Sequence, residues 1–327
     1  MIMGNLLQIN YITLGGFASE KPLPQAMAEA RAMGYDGLEP VFGAGCLAPG
    51  VTQEECRRLR ACADKTGLRL GTMATGSYWA APFTHPRAAV RRQAVEFTEN
   101  YLQVASWLGI DTVLVLPGAV AVPWDPSQPV VSYAQAWERA TAGLKACLPA
   151  ARRLGVRLAV ENVWNWFLAD PVAMRAFVDQ FPAELVGVYF DAGNCLVNGY
   201  PEHWIEMLDR RIFAVHVKNF RRDDCGGTLH GFGDDLESGA ADWPAVRRAP
   251  PQDPLPRAGH RRDDPVLASA RPAPARPGPG PGHRRQAPPV VRLRQKPISV
   301  YGVPDHGTEP RGPRLVRTGA AEARNFR

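Results

Sequence analysis

Four times along the chain a glycine stands between a helical period and an apolar run: Met33-Gly34-Tyr35, Thr66-Gly67-Leu68, Leu108-Gly109-Ile110 and Leu154-Gly155-Val156. Glycine has no Cβ and readily takes the left-handed backbone that closes a helix, so each junction ends a helix and opens a strand. Strands joined through single helices pair in parallel, and repetition of that unit is the cadence of an α/β chain of the (β/α)8 TIM barrel lineage. The apolar runs predict strands over 6–13, 35–42, 68–74 and 111–116, and helices over 23–33, 52–66 and 133–154, with Thr52 as an N-cap. The clearest helical face is Val90, Ala94, Phe97, Tyr101, Ala105 and Leu108, spaced three or four apart. Pro149 should kink or shorten the helix over 133–154. Further strands are expected at 158–161, 186–190 and 212–218, with helices near 171–180, 201–209 and from 243. An open doubly wound sheet is the runner-up, ranked lower because no Gly-rich phosphate turn follows the first strand.

Three of these strands run straight into residues able to do chemistry. Leu158-Ala159-Val160 leads to Glu161, the run over 186–190 to Asp191, and the run over 212–215 to His216. The carboxyl ends of strands are where α/β folds place their sites, so the three side chains can meet at one rim. Each also has a plainer reading. Glu161 can pair with a lysine or arginine, Asp191 can cap the segment that follows it, and His216 can be a satisfied core histidine.

At 327 residues the chain suits one large domain or two smaller ones. Its six cysteines form no C-x-x-C pair, which points to reduced thiols and a cytoplasmic location. The first 15 residues lack a signal pattern and no apolar run reaches membrane-spanning length, so no membrane partner is expected. The net charge of +6 is uneven: residues 250–327 carry about +9 and the rest about −3. The body therefore has no electrostatic reason to bind nucleic acid. Residues 250–327 also hold about half of the 31 prolines, with little apolar period. The expected organisation is an incomplete barrel over 1–249, followed by a Pro/Arg-rich tail that is disordered or out of frame. The eighth strand and helix are missing from that expectation.

Five segments resemble the sugar isomerase and epimerase family with the xylose isomerase-like barrel, which includes the ketose 3-epimerases. They are Glu161-Asn162-Val163-Trp164-Asn165, Tyr189-Phe190-Asp191-Ala192-Gly193-Asn194, Gly199-Tyr200-Pro201-Glu202-His203-Trp204, His216-Val217-Lys218-Asn219-Phe220 and Asp242-Trp243-Pro244-Ala245-Val246. The resemblance implies a divalent ion held by Glu161, Asp191, His216 and a second glutamate from strand eight, with both glutamates exchanging protons with a ketose or ketose phosphate. Such a donor set suits Mn²⁺, Mg²⁺ or Co²⁺ better than Zn²⁺. Glu39, Asn194 and Arg222 correspond to substrate contacts, although ketose 3-epimerases often carry His where Asn194 stands. Lys218 is a candidate phosphate contact. Tyr78, Trp79, Trp164 and Trp166 are candidates for a cleft wall, or for plain core. A homo-oligomer is compatible with all of this.

Two alternatives stand beside this reading. Abasic-site endonucleases share the barrel, but they gather many His ligands, and this chain has seven histidines with one well placed. The other is a non-catalytic truncated barrel, because no glutamate follows a strand after Ala249. Removing one base after the Ala249 codon, with GC-rich codons, lets residues 250–266 read L-R-K-I-R-Y-R-G-P-V-T-A-E-M-I-P-S. That is a helix end, a glycine stop and a strand delivering the glutamate. Sequencing the gene across codons 247–251 is expected to find this reading in a neighbouring frame; its absence from all frames makes the tail a true product.

Overall fold

The computed structural model of the chain describes residues 6–16, 20–43, 45–220, 241–248 and 266–269. Strands β1 (Leu7–Asn10), β2 (Gly37–Glu39), β3 (Thr72–Met73), β4 (Thr112–Val115), β5 (Arg157–Glu161), β6 (Val186–Asp191), β7 (Ile212–Val217) and β8 (Val266–Ser269) form one sheet. Its order is β2-β1-β8-β7-β6-β5-β4-β3, and every pairing is parallel. Isolated parallel bridges, Gly37 to Arg69 and Val41 to Ala74, link the two ends of that order, so the sheet curls into a TIM barrel.

The helices between the strands are α1 (Tyr11–Gly15), α2 (Leu23–Ala32), α3 (Gln53–Thr66), α4 (Ala88–Leu108), α5 (Tyr133–Leu154), α6 (Pro171–Val178), α7 (Ala192–Cys195), α8 (Pro201–Leu208) and α9 (Trp243–Arg248). The glycine junctions close them as expected. Gly67, Gly109 and Gly155 have φ of 71°, 68° and 67°, and each N–H returns to carbonyls of the last turn. Thr52 and Glu55 form a reciprocal capping box at the start of α3. Val90, Ala94, Tyr101, Ala105 and Leu108 are buried along one face of α4, and Tyr101 donates its hydroxyl hydrogen to the Met73 carbonyl, tying that helix to β3. No helix among the described residues is long and apolar enough to cross a membrane.

Three local expectations change. The first strand stops at Asn10, whose side chain accepts from the Ile12 amide at 2.8 Å and turns the chain into α1. Pro149 does not shorten α5, which runs unbroken through it. A proline forfeits one backbone bond, while Ala136, Ala140, Leu144, Cys147 and Ala151 hold the helix by a buried face on both sides of it. The gap expected between β7 and β1 is filled by β8, in register with both: Ala214 faces Val266 and Leu7 faces Leu267. Seven strands would leave two rows of unpaired N–H and C=O groups, and four β-compatible residues satisfy them. The residues that follow begin Ala270-Arg271-Pro272 and contain no glutamate before Glu309. The barrel thus has its eighth strand position filled without the carboxylate expected there.

Replacing Thr52 by Ala removes one half of the capping box and should cost about 1 kcal/mol. In thermal melts this is expected to lower Tm by about 2 °C, with Thr52→Ser close to the parent.

Candidate metal centre at the carboxyl rim

Glu161 is the last residue of β5, Asp191 the last of β6, and His216 the penultimate residue of β7. Parallel strands bring these ends to one rim, and Asp191 faces His216 in register. One potential ligand atom from each of the three lies within 4.8 Å of the others. His216 Nδ1 is 3.2 Å from Glu161 Oε1 and 3.8 Å from Asp191 Oδ2. Glu161 is 6% exposed and Asp191 is fully buried.

The two oxygens of Asp191 have different surroundings. Oδ1 accepts from the Asn194 amide at 2.8 Å and caps α7, whereas Oδ2 turns to Lys218 Nζ at 2.9 Å and to the His216 side. Asn162 fixes the backbone beneath it by giving Nδ2 to the Asp191 carbonyl at 2.9 Å and accepting from the Asp191 amide at 2.7 Å. Asn194 is buried, and its Nδ2 donates to the Asn162 carbonyl at 2.9 Å. Trp164 Nε1 in turn donates to the Asn194 carbonyl at 2.9 Å and its ring meets Phe220 edge-on.

Glu39 is fully buried, and both of its oxygens are engaged within the barrel. Oε1 accepts from Tyr189 at 2.5 Å and Thr72 at 2.8 Å, and Oε2 accepts from Asn10 at 2.6 Å and lies 2.8 Å from His216 Nε2. Arg222 lies outside the described residues. Tyr78 belongs to the core, with its hydroxyl 2.9 Å from Thr98 Oγ1, while Trp79 stands edge-on to Trp124. Trp166 is 58% exposed at a positive φ of 60°, held outward by a loop that Asn165 bolts to the Gly118 carbonyl at 2.6 Å.

Electrostatics explain what this arrangement accommodates. Burial disfavours a charged imidazole, yet the carboxylates of Glu39 and Glu161 outweigh it and raise the His216 pKa to about 10. Lys218 is raised too, because Asp191 and Glu161 overcome its desolvation. Burial pushes the Glu39 carboxyl up, but the charge and hydrogen bond of His216, aided by Tyr189 and Thr72, hold it below its ordinary value. Glu161 moves the other way: burial drives its carboxyl up and Asp191 adds to this, against the pull of His216. Three carboxylates thus gather around one lysine and one imidazole, so that with the imidazole neutral, as a ligating ring must be, negative charge is in surplus at a buried rim. A divalent cation suits that imbalance, and two carboxylates with one imidazole are donors that such ions accept.

A (β/α) barrel with acidic and imidazole side chains converging at its carboxyl rim is the class that fold and site define. The xylose isomerase-like TIM barrel family matches residues 27–249, and the chain belongs to that family. The match ends where the composition changes. Among solved structures, D-psicose 3-epimerase in the presence of D-fructose aligns with a TM-score of 0.61 at 18% identity, over 81% of this chain and 84% of that one. D-Psicose 3-epimerase with D-tagatose from Clostridium cellulolyticum H10 gives 0.62 at 17%, over 81% and 84%. The 3-keto-D-glucoside 4-epimerase from E. coli gives 0.59 at 13%, over 81% and 91%. At these identities the likeness is one of fold. No curated protein matches the sequence.

The residues that sequence reasoning missed are Asn10, Thr72, Asn162 and Tyr189. Strand period gives a signal for Tyr189, which stands two before Asp191 on the same face of β6. The pairing of Asn162 with the Asp191 backbone is tested by Asn162→Leu, which leaves a buried amide and a buried carbonyl without partners. Urea denaturation is expected to show a loss of roughly 2–5 kcal/mol; a loss under about 1 kcal/mol would mean that these bonds do not hold the rim.

Proposed function

We propose that the chain is a metal-dependent sugar isomerase or epimerase of the ketose-acting type, with activity curtailed by the lack of a fourth ligand. The observation that carries this is the convergence of Glu161, Asp191 and His216, nearly sealed from water, at the carboxyl rim of a xylose isomerase-like barrel. These three residues would hold the ion, and Mn²⁺, Mg²⁺ or Co²⁺ suits their hard oxygen donors better than Zn²⁺. When bound, the ion would act as a Lewis acid toward negative charge building on a carbonyl oxygen.

The chemistry assigned to this chain's own residues begins with Glu161. A carbon-bound proton next to a carbonyl is weakly acidic, so its removal calls for a carboxylate that is desolvated and raised in basicity. The upward displacement of the Glu161 carboxyl by burial fits that role. Asp191 is pinned by Asn162, Asn194 and Lys218, and so serves as a fixed ligand rather than a proton carrier. Asn194 spends Nδ2 on the Asn162 carbonyl, and its Oδ1 is the atom proposed to accept from a sugar hydroxyl. Arg222 is proposed as a second contact near the ketose oxygens, on its position six after His216. Lys218 lies against Asp191, which favours an unphosphorylated sugar over a phosphorylated one.

Epimerisation needs a proton delivered to the opposite face of the carbon, and the residue proposed for that in the frame-shifted reading is a glutamate after strand eight. The chain instead continues from Ser269 into Ala270-Arg271-Pro272. Glu161 alone can remove a proton and return it to the same face. Incubation with D-fructose and MnCl2 in D2O is therefore expected to give slow deuterium incorporation at the carbon next to the carbonyl, with little epimer, by NMR. Glu161→Gln should reduce that exchange by roughly 100-fold or more. The chain corrected to the neighbouring frame should turn exchange into epimerisation. If neither chain exchanges the proton of any ketose tried, the sugar reading falls. If the present chain epimerises as fast as the corrected one, the curtailment is wrong.

A further inference from the structure

We propose that Glu39 is a positioning residue for His216: it holds the proton on Nε2 and turns Nδ1 toward Glu161 and Asp191 as the ligating atom. The inference rests on the metal-dependent reading above and deepens it. The two nitrogens of the ring face different surroundings. Nε2 is 2.8 Å from Glu39 Oε2, whereas Nδ1 is the nitrogen beside Glu161 Oε1 at 3.2 Å and Asp191 Oδ2 at 3.8 Å. The side chains that cluster with His216 as possible ligands are Glu161 and Asp191, both on the Nδ1 side. A neutral imidazole carries one proton, and the nitrogen that keeps it is set by the hydrogen bond its neighbour offers. A buried carboxylate at Nε2 is the strongest available acceptor, so Nδ1 is left with the lone pair.

Glu39 can set the ring because it is itself immobilised from four sides. Tyr189 and Thr72 donate to Oε1, and Asn10 donates to Oε2 beside the histidine. Thr72 is braced in turn: Gln8 Nε2 donates to its Oγ1 at 3.0 Å, and Gln8 Oε1 accepts from the Gly71 amide at 2.7 Å. Tyr189 also lies against the imidazole with ring centroids 4.3 Å apart. A ring flip would break the bond to Glu39 Oε2 and turn a carbon edge of the imidazole toward that carboxylate. β1, β2, β3 and β6 thus all contribute to the orientation of one side chain on β7.

The test has two readouts, neither of which requires turnover. In the ¹⁵N-histidine-labelled full chain loaded with Zn²⁺ as a diamagnetic probe, His216 is expected to carry its proton on Nε2, with the signal assigned from its loss in His216→Gln. A proton on Nδ1 overturns the proposal. By calorimetry with MnCl2, Glu39→Met is expected to weaken binding by about 10- to 100-fold, the range seen when a partner of a metal-bound histidine is removed. Glu39→Gln keeps an oxygen for Nε2–H but no charge, and is expected to lose less. It also serves where the Met variant fails to fold, and both are compared at a temperature where circular dichroism matches the parent. Affinity within twofold of the parent in a folded Glu39→Gln and Glu39→Met pair overturns the proposal alone. No Mn²⁺ or Zn²⁺ binding by the parent chain overturns the metal-dependent reading and this proposal together.

Discussion

The rim of this barrel depends on one imidazole ring held between two buried carboxylates. Glu39 grips Nε2 of His216 and Glu161 approaches Nδ1, so a single ring joins β2, β5 and β7. Charges this far from water are costly to gather, and the desolvation is offset only if geometry is good and every remaining oxygen finds a donor. The structure meets that requirement unevenly. Glu39 has its donors from Asn10, Thr72 and Tyr189, and its carboxyl stays below its ordinary value. Among the described residues Glu161 meets the His216 imidazole, and its carboxyl rises. The same burial therefore leaves one carboxyl lowered and the other raised, because Glu39 gains donors from Tyr189 and Thr72 while Glu161 also feels the charge of Asp191.

The barrel cadence was legible because it rests on backbone rules. Gly67, Gly109 and Gly155 end their helices in the left-handed conformation that no Cβ opposes, and the strands after them begin where the apolar runs do. Glu161, Asp191 and His216 were legible for the same reason, since strand ends are fixed by the same punctuation. What escaped reading depends on contacts between distant segments. The burial of Glu39 comes from Thr72, 33 positions away, and from Tyr189, 150 positions away, and no local pattern encodes either distance. The turn at Asn10 is a side-chain bond to the backbone two residues on, which apolar alternation does not report. Pro149 shows the reverse: a local rule was present, and the buried face of α5 overrode it.

β8 separates two demands that a barrel strand normally meets together. Pairing with β7 and β1 asks only for backbone N–H and C=O groups in an extended segment, and Val266–Ser269 supplies them. Delivering a ligand asks for a particular side chain at the strand's carboxyl end, and the sequence there offers alanine, arginine and proline. Backbone closure tolerates almost any β-compatible residues, whereas coordination chemistry tolerates very few.

The three rim side chains are held from one part of the chain. The groups that orient His216 come from β1, β2, β3 and β6, and those that fix Asp191 come from the segment after β5 and from α7. All of them precede the point at which the family match ends. The arrangement of Glu161, Asp191 and His216 is consequently self-supporting: its geometry is set by hydrogen bonds among residues that precede residue 250. His216 and Lys218 lie against Glu161 and Asp191, and their positive charge offsets the repulsion between the carboxylates. An arrangement built this way keeps its donor geometry as a property of the folded chain.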